Sequence, residues 1–185
     1  MEAILPLFFT VLLSEMGGKT QTLAHRHSLT SAHWRIMLVV ALTSLISYGL
    51  AAVAGLYIGK LIAFDARTLL FGLALLFAGA PMVFKSRLPP ELPASASTLT
   101  LIRHFATVQF GDAAQFLVFA VAARLGTPVL ALVGAIAGIL AACFVPMMMG
   151  RSWIKGSALM SIRIAAALLL SGFGGWAVVS ALKIV

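Results

Sequence analysis

Ser14-Glu15-Met16-Gly17-Gly18-Lys19-Thr20-Gln21 interrupts an otherwise apolar run from Ala3 to Ala24, and the reading of that interruption decides the fold. A carboxylate and an ammonium inside an apolar segment are costly unless they face a protein interior or a water-filled cavity. On a continuous helix Glu15 and Lys19 stand four apart with the acid first, the favourable order for a pair. The two are therefore expected to lower each other's cost. Gly17 and Gly18 remove bulk between them, which lets a neighbouring backbone approach or the local carbonyls open toward a ligand. The plainer alternative is a polar contact that joins two helices and does nothing else.

Composition sets the class around this stretch. With 62% hydrophobic and 10% charged residues and a mean hydropathy of +1.09, the chain has too little polar surface for a soluble domain of its length. It reads as an integral membrane protein. A span needs about 20 apolar residues, and six runs qualify, at 3–24, 36–59, 66–84, 104–123, 127–149 and 164–184. Alternating strand patterns are absent, so helices are the expected spans. The start, Met1-Glu2, has no basic residue ahead of the apolar run, and Glu15 and Lys19 interrupt that run, which argues against a signal peptide. The single cysteine, Cys143, excludes an internal disulfide. No Ser/His/Asp set, His-Glu-x-x-His pattern, Walker motif or dinucleotide fingerprint appears, so an enzyme is not expected.

The net charge of +8 is a matter of topology rather than of nucleic acid. Arg26, Arg35, Lys85, Arg87, Arg103, Arg151, Lys155 and Arg163 fall in or beside the connections after spans one, three and five, whereas Lys60, Arg67, Arg124 and Lys183 fall on the other side. Eight against four places the first group in the cytoplasm and both termini outside, in what we expect to be a bacterial inner (plasma) membrane. His25-Arg26-His27 and His33 read as solvated loop residues after span one. Gly49, Gly55 and Gly59 give span two a small face for close helix contact. The stretch 153–163 is expected to lie flat at the inner surface. A Pro-rich polar linker, 88–98, divides the chain into a first three-helix repeat, 1–87, and a second, 99–185.

That division matters because the second half contains a copy of the opening stretch. Gln109-Phe110-Gly111-Asp112-Ala113-Ala114-Gln115 aligns Gly111 with Gly17 and Gln115 with Gln21, at a shift of 94 residues. Three spans separate the copies, so the second lies inverted in the membrane, an arrangement that places a substrate site at the midplane between repeats in many secondary transporters. On continuous helices Glu15 and Asp112 both sit roughly 14 Å from the cytoplasmic edge. They are expected to meet.

These residues resemble the small six-helix manganese/calcium:proton exchangers, the family of the Golgi calcium/manganese transporters and bacterial manganese exporters, also called uncharacterised protein family 0016. Its signature is a repeated Glu-x-Gly-Asp-Lys/Arg-Ser/Thr, commonly followed by Gln, once in the first span of each half. Here Gly18 stands in place of an Asp, Gln109 in place of a Glu, and Ala113 and Ala114 in place of a base and a hydroxyl. Of four family carboxylates this chain keeps Glu15 and Asp112.

The resemblance implies an all-α membrane protein of six transmembrane helices in two inverted three-helix repeats. Its implied activity is proton-coupled export of Mn2+ or Ca2+ as substrate, with no resident cofactor. Glu15 and Asp112 would bind the ion, Gln109, Gln115, Thr20 and Gln21 would complete its oxygen shell, and Lys19, Gly17, Gly18 and Gly111 would form the ion-pair and gating set. Divalent ions want about six oxygen ligands with anionic ones among them, so two lost acids imply weaker binding or another substrate. Asp112, with Ala113 where the first copy has its base, is the expected carrier of the proton. Lipid, a divalent cation and protons are the expected partners; association into a homo-oligomer is left open.

Overall fold

The computed structural model describes residues 3–84, 90, 92–93, 96–153 and 157–183. Among these the chain is helical, with no strand. The order is α1 (Ile4–Ser14), α2 (Lys19–Ser28), α3 (His33–Leu61), α4 (Phe64–Gly79) with a 3-10 turn at Ala80–Val83, α5 (Thr98–Gln109), α6 (Ala113–Leu125), α7 (Pro128–Met149) with a 3-10 turn at Gly150–Ser152, and α8 (Ser157–Ala181).

Four helices, His33–Leu61, Phe64–Val83, Pro128–Met149 and Ala158–Ala181, are long and apolar enough to cross a membrane, and a fifth crossing is formed if the bent pair α5 and α6 counts as one. The chain is thus an all-helical protein with several helices able to span a bilayer, as an integral membrane protein requires. Of the six spans expected from the sequence, four are such helices and two runs are broken. The first run is broken into α1, only 11 residues, and α2, which carries Lys19, His25, Arg26 and His27. The fourth is broken by 65° between α5 and α6.

Local chemistry accounts for the helix ends. Pro81 stops α4 in a 3-10 turn, because proline has no N–H to continue the ladder. Ser97 caps α5 by accepting from the Thr100 N–H. Pro128 opens α7 in its first turn, where its missing N–H costs nothing. The helix α8 starts at Ser157, so 157–163 of the stretch expected to lie flat belong to a long helix instead; no breaker lies between Ser157 and the apolar run, and Arg163 is carried into it, while 154–156 lie outside the described residues. Of the 88–98 linker, residues 88–89, 91 and 94–95 lie outside the described residues, and its end, Ser97 and Thr98, already belongs to the cap and first turn of α5.

Packing pairs the halves. Helices α1 and α2 pack on α7, α5 and α6 pack on α3, α4 packs on α8, and α3 packs on α7. Small residues set how closely they approach. An added Cβ at Gly134 would fall 2.5 Å from the Ile4 carbonyl oxygen, and one at Gly138 would fall 2.6 Å from that of Phe8, so α1 and α7 touch backbone to backbone. Gly55 and Gly59 do the same for α3 against α6, but Gly49 meets nothing within 4 Å. The expected three-glycine face is therefore a two-glycine face.

The histidine tract is also helical rather than a solvated loop. His25 Nδ1 lies 2.9 Å from the Pro146 carbonyl oxygen, and His33 Nε2 lies 3.1 Å from that of Met147. His27 is buried with its ring edge-on to His104 at 5.9 Å. Arg35 reaches the Ala96 carbonyl and the Thr98 hydroxyl. The end of α2, the starts of α3 and α5 and the end of α7 thus gather at one end of the bundle. The Asp65–Lys183 ion pair, 3.0 Å, ties the start of α4 to the chain just past α8.

Candidate functional site

Both copies of the signature fold into the same device. In the first, the Gly18 N–H donates to the Glu15 carbonyl at 2.8 Å; in the second, the Asp112 N–H donates to the Gln109 carbonyl at 3.3 Å. Each hydrogen bond closes a turn whose third residue is a glycine at positive φ, Gly17 at +65° and Gly111 at +77°. That conformation disfavours a side chain, and it is why the two glycines align. Each turn is then held by a glutamine one helical turn on. Oε1 of Gln21 accepts from the Gly17 N–H at 2.7 Å, and Oε1 of Gln115 accepts from the Gly111 N–H at 2.7 Å.

The amide nitrogens complete the clamp. Nε2 of Gln21 donates to the Ala142 carbonyl at 2.6 Å, and Nε2 of Gln115 donates to the Ser47 carbonyl at 3.1 Å. Ala142 is four residues before Pro146, which has no N–H to give it within α7. Gln21 takes the bond that proline removes. Gln21 and Gln115, expected to ligate an ion, instead hold the two breaks to α7 and α3. Replacing Gln21 by Leu orphans the buried Gly17 N–H and Ala142 carbonyl and should cost about 2 kcal/mol or more of stability. Gln115→Leu should cost less, because Gly111 is exposed and its N–H can find water. Melting temperatures of the two purified variants check the order.

The breaks turn both carboxylates inward. Glu15 ends α1 and is 2% exposed; Asp112 caps α6, its Oδ1 accepting from the Ala113 N–H at 2.8 Å, and is half-buried. The Glu15 carboxyl lies against that of Asp112, beside the Thr20 hydroxyl and the Gln21 N–H. The Glu15 side chain reaches from the end of α1 to the first turn of α2, and Asp112 caps α6, so each carboxyl lies at the start of the second half-helix of its pair, where a negative charge is favoured. The expected meeting of the two acids is present.

The expected pair of Glu15 with Lys19 is not. The break between α1 and α2 removes the four-residue helical spacing, Lys19 is exposed at the first position of α2, and no ion pair joins it to a carboxylate among the described residues. A Cβ on Gly18 would fall 2.9 Å from Glu15 Oε2, the movable end of that side chain, and 3.0 Å from the Glu15 carbonyl oxygen.

Glu15, Gly18, Lys19, Gly111 and Asp112 line one cavity of ≈ 360 Å³, together with Phe77, Phe84 and Arg163 from α4, the chain after it and α8. Thr20, Gln21, Gln109 and Gln115 stand outside its lining. Asp112 and Gly111 also line a neighbouring apolar cavity of ≈ 500 Å³, and Phe77 and Phe116 meet edge to face at 5.9 Å where the two adjoin. Arg163, read from the sequence as part of the inner basic end, reaches the break. Its Cδ lies 2.7 Å from where a Cβ on Gly17 would be, and its Nη2 donates to the Phe84 carbonyl at 3.0 Å.

Several buried side-chain atoms have no protein partner among the described residues, and they include Glu15 Oε2, Thr20 Oγ1, Ser44 Oγ, the Tyr48 hydroxyl and both side-chain amide atoms of Gln109. Tyr48 is fully buried within electrostatic reach of both carboxylates. Leaving such a group unpaired costs about 1–3 kcal/mol. Arg163, on the cavity wall, and Tyr48, within electrostatic reach of both acids, are the residues that sequence reasoning missed. Only the i, i+4 spacing of Ser44 and Tyr48, two polar groups on one face of an apolar helix, hinted at Tyr48.

The comparison with known proteins returned no match: no family model, no curated protein and no solved structure corresponds to this chain.

Proposed function

We propose that the chain is a secondary transporter that exports divalent cations, manganese or calcium, in exchange for protons, through a site between two inverted three-helix halves. One observation carries this reading: Glu15 and Asp112 come from opposite halves, each at the break of a glutamine-clamped helix, and their carboxyls face each other. Broken helices meeting at mid-depth are how many transporters expose ion ligands inside a bilayer. The packing supports the two-fold reading, since exchanging the halves maps α1 and α2 on α7 onto α5 and α6 on α3, and maps α4 on α8 onto itself.

Donor chemistry supports the cation. The carboxylate oxygens of Glu15 and Asp112, with the Thr20 hydroxyl beside them, are hard ligands of the kind calcium and manganese take. Two facing carboxylates repel unless a proton or a cation lies between them. Competition of the two for one place is the essence of exchange. In this reading the six crossings count each broken helix pair as one, the histidine-rich end is cytoplasmic, both termini are outside, and the membrane is a bacterial plasma membrane. The chain does no covalent chemistry.

Flux of Mn2+ and Ca2+ into proteoliposomes of the purified chain, with and without an imposed pH gradient, is the test. Uptake that grows with an outwardly directed proton gradient is the expected result. Folded protein that neither binds nor moves either ion overturns the cation assignment.

A further inference from the structure

The cavity holds more than two acids. Glu15, Asp112, Lys19 and Arg163 all line the same ≈ 360 Å³, yet among the described residues no ion pair joins an acid of this set to a base. Charges of both signs kept apart in one chamber at membrane depth are costly, and such groups ordinarily pair with one another. Here the acids face each other and the bases stand elsewhere on the wall.

We propose that Lys19 and Arg163 form an anion-accepting half of the site, so that the bound cargo presents a small carboxylate to these two bases and a positive centre to Glu15 and Asp112. Three features of Arg163 carry the assignment. Its stem crosses the turn at Gly17, 2.7 Å from the place of a Cβ, so the glycine is what admits the side chain to the cavity. Its Nη2 is anchored on the Phe84 carbonyl, which holds the planar group in one orientation. Its Nε is buried with no partner among the described residues, which leaves one N–H of the fork for something that enters. A guanidinium so placed suits a carboxylate, which it binds through two parallel bonds. Lys19 adds a mobile point charge at the first position of α2.

Size agrees with a small cargo. A water takes about 30 Å³ of liquid volume, so the cavity has room for a solute of several heavy atoms with part of its hydration shell. A carboxylate beside a positive centre comes from two sources. One is a zwitterionic amino acid, its ammonium on Glu15 and Asp112. The other is a divalent ion that travels with a small carboxylate. The inference rests on the transporter reading but not on which positive centre is moved.

Three labelled probes separate the cases in proteoliposomes of the full chain: Mn2+ as its chloride, Mn2+ with citrate, and an amino-acid pair, L-alanine and L-lysine. We expect either Mn2+ flux that rises about tenfold or more with citrate, or amino-acid flux without metal. In either case Arg163→Gln should lower it about tenfold, and Arg163→Lys should retain a large part. Lys19→Gln, at an exposed position, provides a second variant whose fold is not at issue, with a loss of several-fold expected. Mn2+ flux equal with and without citrate, silent amino acids, and Arg163→Gln and Lys19→Gln equal to or faster than wild type overturn the anion half and leave the cation exchanger standing. A folded wild type that moves none of the three probes overturns the transporter reading and this inference with it.

Discussion

Glu15→Gln is expected to weaken binding of Mn2+ or Ca2+ at the cavity by about 100-fold, or roughly 3 kcal/mol, in a protein that still folds. The side chain is 2% exposed, and its Oε2 has no hydrogen-bond partner among the described residues. Glutamine keeps the size and one oxygen but removes the negative charge. In a site so poorly hydrated, an anionic ligand acts at a low effective dielectric, where one unit charge against a divalent ion is worth several kcal/mol. Calorimetric titration with either ion and a melting curve without ion separate lost binding from lost fold. An affinity within threefold of wild type, in folded protein, takes Glu15 out of the site.

The same variant decides where the coupling proton goes. From the sequence, Asp112 was the expected carrier because Lys19 would hold Glu15 charged. The break at Gly17 and Gly18 removes that reason, since Lys19 makes no ion pair. Asp112 is the better served of the two acids, half-buried and bonded to the first N–H of α6. Glu15, with less water, is therefore assigned the proton. Flux should lose its dependence on the pH gradient in Glu15→Gln and keep it, at lower rate, in Asp112→Asn. The reverse pattern returns the proton to Asp112.

Gly55→Ala should destabilise the protein by about 3 kcal/mol or more, the largest effect expected of any single methyl here. The added Cβ would lie 2.2 Å from the Phe119 carbonyl oxygen and 3.0 Å from its carbonyl carbon. Both are backbone atoms of α6, so no rotamer change relieves the contact and one helix must move. One turn along, a Cβ on Gly59 would lie 2.3 Å from the Ala123 carbonyl oxygen, so any displacement is shared by the whole α3–α6 seam. Because Asp112 caps α6, the shift also moves the second break. Gly49→Ala is the control, with nothing within 4 Å; it should be neutral or slightly stabilising, since alanine favours a helix over glycine by up to about 1 kcal/mol. Thermal unfolding of the three proteins in the same detergent gives the comparison. A Gly55→Ala protein that melts with wild type shows that the seam is not packed this closely.

The amino-acid sequence by itself determined the class and the repeat. An excess of apolar residues leaves too little polar surface for a soluble fold, whatever the arrangement. The matched Gly17 and Gly111, Gln21 and Gln115 were legible as a repeat because both copies keep the same residues four apart, but their role in a clamped positive-φ turn was not. Tertiary structure alone decided the rest. Helix breaks at Glu15 and Gln109 were invisible in apolar runs long enough to be read as continuous spans, because a half-helix is stable there only when α7 and α3 supply the acceptors for the glutamine clamps. Losing the helical spacing parted Lys19 from Glu15. Arg163 and Tyr48 reach the two acids from elements distant in the chain, and a hydrophobic pattern does not tell which face of a buried helix meets which neighbour. Their positions follow from which glycines let two backbones touch, a property of the pair of helices and not of either one.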